Sequence, residues 1–129
     1  MPNPAEITLD PARLTALAAI ARRSRASLTG LTDAVYDMRE RRRDLTRQRD
    51  LVLSAGQASG PAAAAEAAER AAALAAQMAD LAADVVIREV EQQEASDAYA
   101  AARSNLKTAI AHAELVGLQV PAGVKEMMS

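Results

Sequence analysis

Six arginines crowd one stretch of the chain, Arg39, Arg41, Arg42, Arg43, Arg47 and Arg49, against three acids, Glu40, Asp44 and Asp50. Guanidinium groups offer forked donors that match phosphate and carboxylate oxygens. The chemistry available there is capture of an acidic partner: a phosphate, a nucleic acid or an acidic protein face. The competing reading is a solvated charged face with local pairs such as Asp37 with Arg41. No aromatic residue interleaves these arginines, and the pI is near 5.4, so nucleic acid is not the expected partner.

The remaining reactive groups are sparse. His112 is the single histidine, with Glu114 nearby, and there is no cysteine. Thiol catalysis, disulfides and Cys/His zinc sites are thereby excluded, and His112 reads as a structural or solvent-facing side chain. Glu89, Glu91, Glu94 and Asp97 form the most acidic run. Residues two apart on a helix point away from each other, so Glu89 and Glu91 do not chelate together, and a face paired to arginines is the expectation. Ser59-Gly60-Pro61 lacks the glycine spacing and the lysine of a phosphate-cradling loop. With no nucleophile, base and orienting group to assemble, the chain is not expected to be an enzyme, nor to hold a metal or cofactor.

The elements that would position these residues follow from composition and spacing. The chain has 129 residues, the size of one domain, and half of them are hydrophobic, of which 33 are alanine. Pro2, Pro4 and Pro11 keep residues 1–10 extended, and Asp10-Pro11 reads as an N-cap followed by proline at the first helical position. From there apolar side chains recur every seven residues. One series is Leu14, Ala21, Leu28, Val35, Arg42 and Arg49; the other is Leu17, Ser24, Leu31, Met38, Leu45 and Val52. A 3.5-residue spacing predicts a coiled-coil-like helix over residues 11–54, continuous through Gly30 because the phase holds on both sides of it. Arg42 and Arg49 fall on this seam and are expected to lay their stems on apolar surface.

Residues 55–60 read as a turn, with Gly56 suited to a left-handed C-cap, Ser59 or Gly60 to an N-cap and Pro61 to the first helical position. A second helix is predicted over 61–116, ending at Gly117. Its seam is Ala67, Ala71, Leu74, Met78, Leu81, Val85, Arg88, Gln92, Ala95, Tyr99, Ala102, Leu106, Ala109 and Ala113. Val86, Ile87, Val90 and Ile110 fall off this seam, which implies a phase shift or a second buried face. The fold class is therefore all-α: one long antiparallel helical hairpin, its helices roughly 67 and 84 Å long, with an N-terminal arm and a tail over 117–129. A turn at 55–60 sets opposed residues adding to about 115, which places Arg22, Arg23 and Arg25 near Glu89, Glu91 and Glu94 and leaves the turn-proximal arginines opposite a nearly uncharged alanine tract.

Alanine layers bury little area, and two helices enclose no interior, so an isolated hairpin of this kind is undersupplied with burial and is expected to oligomerise. Apolar termini fray unless covered; Ile7 and Leu9 in the arm and Leu118, Val120, Val124, Met127 and Met128 in the tail are expected to dock on neighbouring subunits. No run is apolar enough to span a bilayer, and the N-terminus lacks the basic and apolar regions of a secretory signal. The expected location is the cytoplasm, or a virion if the gene is phage-borne; 13 arginines against two lysines and the alanine excess point to a GC-rich bacterial or phage genome.

Three function classes fit. The first is a structural protein whose hairpin oligomerises or docks into a larger particle, such as a bacteriophage virion or a secretion or motility apparatus. The second is an amphipathic coat on a lipid or polymer granule; phasins are likewise alanine-rich and helical, but the chain has no phenylalanine or tryptophan to anchor such a coat. The third is an adaptor or chaperone hairpin binding a partner helix. The Trp-x-Gly turn of the small secretion hairpins is missing, and no family is assigned.

Overall fold

The computed structural model describes residues 11–128. The arm, with Ile7, Leu9 and the Asp10 cap, lies outside them. Among the described residues there are three helices and no strand: α1 (Pro11–Ala58), α2 (Pro61–Leu115) and α3 (Ala122–Glu126). The two long helices pack against each other as a helical hairpin. The chain divides into two compact units, one formed by residues 1–30 and 92–129, the other by residues 31–91.

In the unit of residues 31–91, α1 and α2 are joined by Ser59 and Gly60 alone. Gly60 adopts the left-handed conformation (φ 101°), and its carbonyl accepts the first α2 bond from Ala64 N–H at 2.9 Å. Pro61 starts α2 where its missing N–H costs nothing. Gly56 departs from expectation. It is not a left-handed cap but a buried helical residue, because α1 continues four residues past the expected end at 54. It lies one heptad beyond Arg49, on the seam, where a two-residue reversal forces the helices together. A Cβ there would stand 2.2 Å from the Ala67 Cβ and 3.1 Å from the Ala63 carbonyl oxygen. Close approach, not backbone freedom, is the reason glycine fits this position.

The longer α1 moves the register. Met78, expected opposite Asp37, meets Thr46 instead, its sulfur 3.9 Å from the hydroxyl. Glu89, expected near Arg25, pairs with Arg39. The seam itself holds. Of the twelve α1 positions only Arg42 is exposed, and of the fourteen α2 positions only Arg88. Gly30 is an ordinary residue of a continuous α1, with nothing within 4 Å of the place a Cβ would take.

In the unit of residues 1–30 and 92–129, a third element joins the pair. α2 ends at Leu115; Gly117 (φ 80°) takes the left-handed position, and the Leu118 and Gly117 N–H groups donate to the carbonyls of Ala113 and Glu114 at 2.9 and 3.2 Å. This is a Schellman ending, at the glycine where the sequence predicts the helix to stop. The chain then folds back. Val124, on α3, is buried in a cluster with Leu14, Ala18, Ala21, Ala102, Leu106 and Ala113, and Val120, Met127 and Met128 pack against it. Val120, Val124, Met127 and Met128 thus pack within their own unit, because the reversal at Gly117 returns the tail over α2 and α1, whereas Leu118 stays exposed. Arg22 donates to the Gly123 carbonyl at 2.9 Å, and Lys125 pairs with Glu114 at 3.1 Å.

Candidate functional surfaces

The turn-proximal arginines are less available than their sequence suggests. Arg39 pairs with Glu89 across the hairpin. Arg43 pairs with Glu40 at 2.5 Å, Arg47 with Asp44 at 3.3 Å and Arg49 with Asp50 at 3.3 Å. The expectation that these arginines face no acid within the chain is therefore corrected for four of the six: the register shift supplies the partner of Arg39, and acids three residues away or adjacent supply those of Arg43, Arg47 and Arg49. Arg49 is half-buried at its seam position, whereas Arg42 is exposed at its own. Arg41 and Arg42 are exposed and make no ion pair among the described residues.

The acidic run is distributed in the same way. Glu91 holds Arg88 at 2.8 Å, and its hydrogen bond and charge raise the Arg88 pKa above the usual arginine value. Asp97 accepts from Gln93 at 3.0 Å. Glu89 belongs to Arg39, so the expected pairing with Arg22, Arg23 and Arg25 does not form at that residue; Arg22 instead reaches the tail. His112 sits exposed in the last turn of α2. Among the described residues no three acidic or histidine side chains cluster as a metal site. No helix there is long and apolar enough to cross a membrane.

Each unit carries a concave surface among the described residues. In the unit of the termini, a groove of about 960 Å³ runs along α2 from Ser96 and Tyr99 through Arg103 and Lys107 to Ile110, with Lys125 and Met128 of the tail on one side. In the other unit, a smaller groove of about 430 Å³ lies between the helices, lined by Gln48, Leu51, Val52, Arg70, Ala73 and Leu74. Leu51 is 70% exposed at its edge.

Sequence reasoning expected Val86, Ile87, Val90 and Ile110 to mark a phase shift or a second buried face; Ile110 is half-buried against the cluster of the terminal unit, and the other three are not. No phase shift occurs, since the seam continues through Val85. These three side chains lie on the outside of α2, 61%, 56% and 55% exposed. Val86 and Val90 end a second regular series, Ala72, Ala76, Ala79, Ala83, Val86 and Val90, spaced alternately by four and three residues, every member of it exposed, with Ile87 beside it. The signal was the same 3.5-residue spacing that identified the inner seam, masked by the alanine content. No protein family matches the chain, and no curated protein or solved structure matches it.

Proposed function

We propose that this chain is a non-enzymatic assembly protein, a helical hairpin that oligomerises or docks into a larger particle such as a virion or a secretion or motility apparatus. The observation that carries this reading is the outer series of α2. Val86, Ile87 and Val90 are β-branched residues standing more than half exposed on a helix whose inner seam is already covered by α1. Grouped exposed apolar side chains of this kind mark surfaces that another protein covers.

Light scattering across a range of concentrations tests the proposal. Association that grows with concentration is expected, and Val86→Glu with Val90→Glu removes it while helicity by circular dichroism stays unchanged. A wild-type chain that remains a monomer throughout, with a double variant that is indistinguishable from it, would contradict the reading.

A further inference from the structure

Past the Schellman turn the tail closes its own backbone. The N–H groups of Val124 and Lys125 donate to the Pro121 carbonyl at 3.0 and 3.4 Å, and those of Met127 and Met128 to the carbonyls of Val124 and Lys125 at 3.2 and 3.0 Å. Side chains fasten it to the long helices: buried Val124, half-buried Val120, Met127 and Met128, the bond from Arg22 to the Gly123 carbonyl, and the pair of Lys125 with Glu114. Lifting the tail breaks these contacts and leaves the hydrogen bonds of α1 and α2 in place. It uncovers an apolar groove with Leu14, Ala18 and Ala21 on one wall and Ala102, Leu106 and Ala113 on the other. We propose that α3 is a replaceable strap, and that the groove beneath it is a binding site which the same tail segment of a second copy enters when the resident strap swings out about Gly117.

The occupant is the one already seated there. Val120, Val124, Met127 and Met128 recur at the three- and four-residue spacing of one helical face, and four alanines among the six groove residues let that face lie close to both helices. The two banks of the groove add a polar requirement. Arg22, on α1, donates to a backbone carbonyl, and Glu114, on α2, takes a cation placed next to the central apolar anchor. Lys125 beside Val124 meets that requirement, and a second copy carries the identical pair. Exchange of one element between copies repeats every native contact, so it needs no surface other than the one the tail already uses.

The resident tail competes with the incoming one. An entering segment finds the site free only in the fraction of molecules whose own strap is lifted, and its apparent affinity falls by that fraction. Five residues of helix do not hold themselves together without the groove, so the strap is the least self-sufficient element of its unit. Gly117 sets how often it lies down. Its left-handed conformation (φ 80°) turns the chain back, with nothing within 4 Å of the place a Cβ would take. A residue with a side chain is strained there by its backbone alone, which weakens the reversal without touching the groove. This inference is independent of the outer face of α2.

A fluorescent peptide of residues 118–128 titrated into the full chain, followed by anisotropy, tests the exchange, with circular dichroism reading the helicity of each chain. Binding should be weakest to the wild type. It should tighten about threefold for the Gly117→Ala chain, whose reversal is strained, and about tenfold or more for the Val124→Asp chain, whose own tail no longer fills the groove. The same peptide carrying Val124→Asp should bind none of them, and the Val86→Glu, Val90→Glu chain should bind the unaltered peptide as the wild type does. Equal affinity for the wild type and both tail variants would overturn the proposal, because the peptide would then sit elsewhere. Failure of the peptide to bind either variant would also overturn it, as would loss of α1 and α2 helicity in the Val124→Asp chain, which would make the tail a fixed part of the fold. Each of these outcomes leaves the assembly reading to its own light-scattering test.

Discussion

The two units draw on the same pair of long helices and enclose their seams to different depths. In the unit of the termini, Leu14 and Leu106 are fully buried; in the unit of the turn the best-covered seam residue, Val35, remains 3% exposed and Val85 8%. The inner spacing is the same in both. The difference is α3, five residues long, whose Val124 is buried and whose following methionines lie over the cluster. A pair of helices covers each seam residue from one side, and a short third element closes the other. The unit that lacks one is also the unit that leaves Val86, Ile87 and Val90 uncovered.

Substitutions that empty the two seams measure this difference. Leu106→Ala should cost the most, about 2–5 kcal/mol by urea unfolding, because its surroundings are closed on all sides and relax little; Leu45→Ala in the open unit should fall near the lower end of that range. Equal losses would show that α3 adds no enclosure. Val124→Ala tests α3 itself and should cost about 2 kcal/mol, since it removes buried methyl groups from the element that closes the cluster. A negligible loss would mean the tail merely rests on the surface.

The glycines give an opposed pair of expectations. Gly56→Ala gains helix propensity but drives a Cβ into Ala67, so a net loss of about 1–2 kcal/mol is expected. Gly30→Ala gains the propensity with open space around it and should stabilise by about 1 kcal/mol. Thermal unfolding of both variants reads the sign. Removing the exposed pair across the open unit, by Arg39→Gln, should cost least, under about 1 kcal/mol, and less still in high salt.

Much of this architecture is legible in the residues. Seven-residue spacing located both inner seams, and Pro61 and Gly117 marked the second helix, because periodicity and caps are local properties. The register was not, since it depends on where α1 stops. Gly56 looks like a terminator in sequence and acts as a packing residue, a role visible only once Ala67 stands opposite it. In the arginine stretch the pairing of Arg39 with Glu89 was hidden for the same reason, being set by the register, whereas the acids that hold Arg43, Arg47 and Arg49 lie beside them in the sequence. The fold-back of Val124, Met127 and Met128 was missed because apolar tails look alike whether they cover their own chain or a neighbour. The outer α2 series was present as a pattern, yet alanine is so frequent from residue 62 to 83 that spacing alone could not separate a face from composition.

The central claim is that the exposed outer series of α2 drives self-association, and it predicts a linkage between stability and concentration. The thermal unfolding midpoint of the intact chain, followed by circular dichroism over a range of concentrations of about a hundredfold, reads that linkage directly. The account predicts a midpoint that rises with concentration in the wild type and stays fixed in the Val86→Glu, Val90→Glu variant. A wild-type midpoint that is the same at every concentration would contradict it.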